Sequence, residues 1–293
     1  MFILPGSHGN SHGNSHGNSH GNSHGNSHGN SGLAMAPAGG IALPVSMPIY
    51  LGPGVLHPIE AGPFKETEIH PDLWVLPKLP GLLINVLPDT SPNNPDHATL
   101  KAIMESKAVE VDLERALNAR DANLASFGAE AADQSGDFKH YFHALLSLNP
   151  RDHTNTMRLI SLVYAAAGVV GMAWKLEFRR ARPAQVWPGM FPALPTPPHP
   201  SFPSNHSVQA HTVAQVLIEV VKGAGHPAAE RYLSELADRI ALNREYVGIH
   251  FCTDTEGGRE IANGLTTQLL ADGLVKTLVD AAVDELTVER GTA

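Results

Sequence analysis

Cysteine is almost absent from this sequence, since Cys252 is the only one among 293 residues. No disulfide can form within the chain, so the fold does not depend on an oxidising compartment. Cys252 lies close to His250, but no neighbouring residue is placed to activate a thiolate. We therefore expect Cys252 to be a small buried apolar side chain and not a nucleophile.

Basic residues are scarce as well. The chain has 20 Lys and Arg against 29 Asp and Glu, which gives a formal net charge of -9. A protein that binds nucleic acid along its surface relies on basic residues, so the composition argues against that class. Several of the few cations fall inside short motifs described below, which predicts a locally positive pocket on an acidic protein.

Long apolar runs are also missing. The longest, Leu159–Trp174, is short for a membrane span and rich in Gly and Ala. Met1–Pro5 is too short for the apolar region of a signal peptide and has no basic residue before it. On these grounds the sequence predicts a cytoplasmic protein without a membrane span.

The chain divides into three predicted parts. Residues 1–34 contain six copies of Ser-His-Gly-Asn, which cannot bury a core and are expected to be disordered, either as a metal-binding tail or as an expanded repeat or tag. Residues 35–95 are rich in Pro and Gly and predict an irregular strap, including Leu73–Leu87. Residues 96–293 form the predicted helical domain.

Within this domain apolar residues recur at helical spacing from about His97 onward, and no segment alternates with a period of two. Further predicted helices cover residues 138–148, 154–180, 204–222, 227–246 and 254–286. The expected fold class is therefore all-α, a single helical bundle with an anion pocket between its core helices.

The first motif is Lys175–Pro183 (KLEFRRARP). Lys175 and Arg182 are seven residues apart, which would place them on one face near the end of a long helix. An ammonium and a guanidinium suit oxyanion oxygens, although a solvated basic helix end is the alternative interpretation. Arg179 is expected to be able to replace either residue, and Arg180 to face solvent.

The second motif is Pro203-Ser204-Asn205-His206, at the predicted start of a helix. Backbone N–H groups at a helix start bind anions, and Ser204 adds a hydroxyl. His206 in the first turn is suited to transfer a proton to a bound oxygen. The alternative is an ordinary capping serine.

The third motif contains Arg244, His250 and Asp254. Asp254 lies four residues after His250, so its carboxylate can bind one ring nitrogen and orient the other. Arg244 does not share that face on a straight helix, so we expect a break near Gly248. A histidine–aspartate pair in the core is the alternative interpretation.

Together, and in this order, the three motifs resemble the signature of the type-2 phosphatidic acid phosphatases and vanadium-dependent haloperoxidases. The resemblance implies an α-helical bundle, and it implies a role for each matching position. The implied oxyanion-binding residues are Lys175, Arg182, Ser204, Asn205 and Arg244. His250 would be the vanadate ligand or the phosphorylated nucleophile, His206 the acid and base, and Asp254 the group that orients His250.

One position departs from the family pattern, because Asn205 stands where glycine is usual and its side chain is expected to crowd the pocket. The proline-rich loop before Pro203 resembles the haloperoxidase branch, in which a position matching His199 lines the halide side. The resemblance thus implies a vanadate-dependent oxidation of bromide or iodide by hydrogen peroxide, with Lys175 polarising the peroxide.

Two other functions remain open at this stage. One is a soluble acid phosphatase that acts on phosphate esters through a phosphohistidine and needs no cofactor. The other is a non-catalytic protein that binds phosphate or vanadate. The sequence also leaves a homo-oligomer open.

Overall fold

A computed structural model describes residues 65–287, and all regular elements in that range are helical. The α-helices are α1 Pro71–Val75, α2 Leu79–Val86, α3 Pro95–Met104, α4 Val109–Asp133, α5 Lys139–Leu145, α6 Thr154–Phe178, α7 Pro183–Val186, α8 Asn205–Gly223, α9 Ala229–Tyr246, α10 Cys252–Ala271 and α11 Gly273–Thr287. The prediction of an all-α fold is confirmed. The repeat tail and the strap before residue 65 lie outside the described residues.

The helices α1 and α2 correct the expectation of irregular chain over Leu73–Leu87. Their prolines do not interrupt them, because Pro71 and Pro80 lie in the first turn of each helix. A proline is tolerated there, since the backbone N–H that it lacks would have no partner within the helix. The apolar residues between the prolines, including Trp74, Val75 and Leu82, are buried in the main core.

The central helix of the bundle is α6, which is buried over most of its length and packs against α8, α11, α1 and α2. Each fully buried aliphatic side chain on it contributes roughly 1.5–3 kcal/mol. No side chain of its own caps its first turn. The carboxylate of Glu285 on α11 does so instead, accepting hydrogen bonds from the backbone N–H groups of Asn155 and Thr156, both at 2.8 Å.

The last predicted helix, 254–286, is in fact two helices, α10 and α11. The chain leaves the helical conformation at Asp272, where ψ is 138°. The carboxylate of Asp272 then accepts a hydrogen bond from the N–H of Leu274 at 2.9 Å and so caps α11. This break lets α11 fold back against α6 and α8.

Candidate active site

Four parts of the bundle meet at the candidate site: the end of α6, the proline-rich loop that precedes α8, the end of α9 and the start of α10. The turn between α9 and α10 depends on Gly248, whose φ of +76° is unfavourable for other residues. The expected break at this position is confirmed. It brings His250 back towards the loop while Arg244 remains on α9.

His250 and Asp254 form the expected pair. The Nδ1 atom of His250 lies 2.9 Å from Oδ2 of Asp254, and both side chains are buried. Oδ2 also accepts hydrogen bonds from Ser201 Oγ at 2.5 Å and from the N–H of Phe251 at 3.0 Å. Because the carboxylate accepts from Nδ1, this nitrogen carries the proton and Nε2 is left with a free lone pair.

Arg182 contacts that lone pair. Its Nη1 atom lies 3.0 Å from Nε2 of His250 and donates to the carbonyl oxygen of Ile249 at 2.8 Å. Its other nitrogens reach His199, with Nη2 3.1 Å from the ring Nδ1 and Nε donating to the backbone oxygen at 3.1 Å. His199 is thereby connected to His250 through a single guanidinium. Its own Nε2 atom is buried and has no partner among the described residues.

The first motif is not arranged as predicted. Helix α6 ends at Phe178, and Arg179 adopts the left-handed conformation with φ of 50°, so Arg182 lies beyond the helix and not on a face shared with Lys175. Arg179 is exposed and donates only to the carbonyl oxygen of Leu176. The expectation that it replaces Lys175 or Arg182 is therefore not supported by its position.

The expectation that Arg180 faces solvent is wrong. Its guanidinium donates to Asp254 Oδ1 at 2.8 Å, to Thr253 Oγ1 at 2.6 Å and to Asp112 Oδ2 at 2.9 Å. The turn at Arg179 directs the chain, and with it the Arg180 side chain, towards α10.

Arg244 and His206 both contact the C-terminal end of α4. Arg244 Nη2 donates to the carbonyl oxygen of Ala131, and His206 Nε2 lies 2.9 Å from the carbonyl oxygen of Gln134. A carbonyl only accepts, so the proton of a neutral His206 is on Nε2. Arg244 is buried, and its Nε and Nη1 atoms have no partner among residues 65–287.

Ser204 and Asn205 start α8. Ser204 Oγ accepts from the N–H of Ser207 at 3.5 Å, so Ser204 acts as a helix cap, as the alternative interpretation had it. The side chain of Asn205 packs against α6, where a methyl group added to Gly171 would overlap its Oδ1 atom and where its Nδ2 lies 3.4 Å from the Gly168 oxygen. Asn205 is therefore directed into the contact between two helices and does not crowd the cationic cluster.

The three cations of the motifs share one property: they are buried without a carboxylate partner in the described part of the chain. Lys175 donates to the carbonyl oxygens of Pro200 and Ser201, at 2.8 and 2.9 Å. Arg182 contacts carbonyl oxygens and imidazole nitrogens, and Arg244 donates to a carbonyl oxygen. Buried charges normally pair with opposite charges, so this cluster is suited to receive an anion.

The histidines of the site are held neutral. Burial, followed by the charge of Arg182, places the pKa of His250 well below its usual value, and burial with the charge of Arg244 does the same for His206. Burial and the charge of Lys175 lower the pKa of His199 to about 4. Burial opposes ionisation of Asp254, but the hydrogen bond from His250, the charge of Arg180 and the hydrogen bond from Ser201 outweigh it and lower its pKa.

Cys252 is buried, as expected. Burial, followed by the negative charge of Glu245, raises the pKa of its thiol above the ordinary range. A thiol that stays protonated is a poor nucleophile, which agrees with the prediction of an apolar filler.

Three residues of the site were not predicted from the sequence: Arg180, Ser201 and Asp112. Asp112 is on α4 and fully buried, yet it is 68 residues from Arg180. In the sequence Asp112 is one of several acidic residues on a predicted helix, and nothing near it indicates that its partner is Arg180. Ser201 is hidden in the proline-rich loop and reaches Asp254 only because that loop folds back over α10.

The fold and the site define a helical bundle with a cluster of buried cations around a histidine–aspartate pair. The PAP2 superfamily model matches residues 156–271, the part of the chain that carries the three motifs. No curated protein matches the sequence.

Two solved structures are similar to the chain at low identity. One, described as the first bacterial vanadium-dependent iodoperoxidase, has 19% sequence identity and a TM-score of 0.39, and the match covers 57% of this chain. This chain spans about half the length of that protein, with 49% covered. The other, a transmembrane PAP2-type phosphatidylglycerolphosphate phosphatase from Bacillus subtilis, has 17% identity, a TM-score of 0.35, and coverage of 76% of this chain and 100% of its own.

The predictions of no membrane span and of a cytoplasmic location are wrong. The helical segment Thr154–Val186 is long and apolar enough to cross a membrane, with a mean hydropathy of 1.7 over its best window, of which 78% is buried inside the structure. A transmembrane PAP2 phosphatase is also among the similar structures. The apolar run Leu159–Trp174 is shorter than α6, because the helix continues beyond the run at both ends.

Proposed function

We propose that this chain is an enzyme that holds a tetrahedral oxyanion at His250 and, with vanadate as that oxyanion, oxidises bromide or iodide with hydrogen peroxide. The proposal is supported above all by Lys175, Arg182 and Arg244, three buried cations without a carboxylate partner in the described chain. An anion with two or three negative charges would offset their charge without any large movement of the backbone.

The residues present fit vanadate. The unpartnered Nε and Nη1 of Arg244 are donors directed at no protein acceptor in residues 65–287, and a guanidinium binds two oxyanion oxygens at once. Vanadate, when bound, supplies the activation of peroxide and the oxygen transfer to halide.

The chain's own residues prepare His250. Asp254 fixes the tautomer in which Nε2 has a free lone pair, and Arg182 donates to that lone pair at 3.0 Å. An incoming oxyanion offers Arg182 charged oxygens in place of a neutral nitrogen, so the guanidinium moves to them and Nε2 becomes available. Arg182 thus both protects Nε2 and responds to the ligand.

His199 favours the peroxidase over other uses of the site. Its ring is tied to Arg182, and its buried Nε2 has no partner in the described residues. It also lines an open depression at the surface with Arg179, Gln185 and Pro198. A neutral imidazole at this position is suited to hold a halide or its oxidised form.

A phosphatase is the second candidate, favoured by the same unprotonated Nε2. In that reaction the bound ester monoanion first gives its proton to Nδ1 of the neutral His206. Nε2 of His250 then forms a bond to phosphorus while the bond to the ester oxygen breaks, and that oxygen takes the Nδ1 proton from His206. Water then attacks phosphorus and gives its proton to His206, and the nitrogen–phosphorus bond breaks. The three cations would stabilise the charge on the transferring group.

The experiment uses the purified full chain, extracted with detergent if it is in the membrane fraction. Peroxide-dependent bromination is measured after loading with orthovanadate, and hydrolysis of a generic phosphate ester without vanadate. We expect bromination that is lost in His250→Ala and strongly reduced in His199→Ala, with ester hydrolysis unaffected by the second change. Ester hydrolysis without bromination would replace the peroxidase by the phosphatase, and neither activity with an anion still bound would indicate a non-catalytic binder.

A further inference from the structure

Arg180 connects three buried groups from two helices. Nη1 donates to Asp254 and Thr253 on α10, and Nη2 donates to Asp112 on α4. The guanidinium also lies 4.0 Å from the ring centre of the buried Phe251. These contacts fix the guanidinium plane from both sides, which a flexible solvated arginine would not require.

The two oxygens of Asp254 have different partners. Oδ2 receives the three donors described above, including His250, whereas Oδ1 receives Arg180 alone. Arg180 is therefore the group that holds the second oxygen of the carboxylate and completes the fixing of its plane. If it is removed, a buried oxygen is left without a partner, and the carboxylate can turn away from His250.

Asp112 holds Arg180 in turn. It is fully buried, its Oδ2 accepts from Arg180 and Thr253, and its Oδ1 has no partner among the described residues. One guanidinium is thus shared by two buried carboxylates, Asp112 and Asp254. The excess negative charge lies behind Asp254 and favours the positive charge that His250 acquires when Nε2 forms a bond.

The other cations near His250 do not pair with Asp254 in the described part of the chain. The other cations near His250 are Lys175 from α6 and Arg182 from the loop, and both bind carbonyl oxygens or imidazole nitrogens. His199 is bound to Arg182. Among the described residues, Arg180 is the cation that pairs directly with the carboxylate of Asp254.

We propose that Arg180 and Asp112 are positioning residues for the reaction at His250: Asp112 holds the guanidinium, and the guanidinium holds Asp254 in the orientation that receives Nδ1 of His250. The inference rests on the proposed function, because it names what orients the histidine of that same site. It assigns no contact with substrate to either residue.

The test compares the full chain with Arg180→Ala, Arg180→Lys and Asp112→Asn. The matched control is Arg259→Ala, which removes another arginine–aspartate pair of α10, the contact of Arg259 with Asp238 at 2.6 Å. Binding of orthovanadate and of inorganic phosphate is measured by calorimetry, and the Nδ1 proton of His250 is followed by NMR. Turnover in peroxide-dependent bromination and in ester hydrolysis is recorded for each variant with and without added guanidinium.

We expect Arg180→Ala to weaken oxyanion affinity or turnover by about 10–100-fold, as loss of a group that orients a ligand usually does. Guanidinium should restore part of the loss, the Nδ1 resonance should shift, and Arg259→Ala should match the wild type. Asp112→Asn should show a smaller loss of oxyanion affinity or turnover. This variant tests the inference if Arg180→Ala does not fold. Wild-type affinity, turnover and Nδ1 resonance in a folded variant would overturn the inference. A wild type that binds neither anion would instead refute the proposed function.

Discussion

Arg244 should destabilise the protein when no anion is bound, and this can be measured with Arg244→Met. The guanidinium has two buried N–H groups without a partner among residues 65–287, each costing roughly 1–3 kcal/mol, and one hydrogen bond to Ala131 worth about 1 kcal/mol. Replacing such a charge by an apolar side chain of similar length should raise the free energy of unfolding by about 2 kcal/mol. For a domain of this size that raises Tm by about 4–8 °C.

A saturating oxyanion should reverse the order of stability of the wild type and Arg244→Met. At a concentration about 1,000 times Kd the wild type gains about 4.1 kcal/mol. A variant with about 100-fold weaker affinity gains only about 1.4 kcal/mol at the same concentration. The wild type then becomes the more stable protein by roughly 1 kcal/mol.

The assay is thermal unfolding with and without orthovanadate or phosphate, with Arg239→Met as the control. Arg239 is on the same helix and also faces α4, but it pairs with the carboxylate of Glu130. A half-exposed pair of this kind contributes at most about 1 kcal/mol, so the control should lose a little stability with or without anion. If Arg244→Met is less stable than the wild type by the same amount in both conditions, the reasoning about unpaired cations is refuted.

Two further predictions concern stability. His199, His206 and His250 have lowered pKa values in the folded protein, so below about pH 6.5 the unfolded chain binds protons that the folded chain does not. Stability should be constant from pH 8 to 7 and fall by up to about 4 kcal/mol per unit below that, and a Tm unchanged down to pH 5 would contradict this. Glu285→Gln should remove a charged cap of α6 and lower stability by about 1 kcal/mol, measured by urea unfolding against Glu235→Gln, whose carboxylate is in an exposed pair on α9.

The second and third motifs could be predicted from the sequence because their geometry is local. His250 and Asp254 are four residues apart, and Gly248 indicated the turn that separates them from Arg244. Helix α8 begins where the capping serine predicted. In each case a few neighbouring residues determine the conformation.

The features that the sequence did not predict depend on contacts between distant residues or on exceptions to local conformational preference. Arg179 is a non-glycine residue in the left-handed region, so nothing in the sequence indicated that the chain turns there and takes Arg182 off the face that carries Lys175. The partnership of Arg180 with Asp112 spans 68 residues. The sequence does not indicate α1 and α2, because proline usually breaks a helix, whereas Pro71 and Pro80 each lie in a first turn.

The cap that Glu285 places on α6 has a consequence for the order in which the protein is completed during synthesis. The carboxylate is 130 residues downstream of the N–H group of Asn155 that it binds. A ribosome adds residues at roughly 5–20 per second, so α6 emerges about 6–26 seconds before its cap exists. The helix that carries Lys175 is therefore capped by a segment that is made well after it, and after every residue of the cationic cluster.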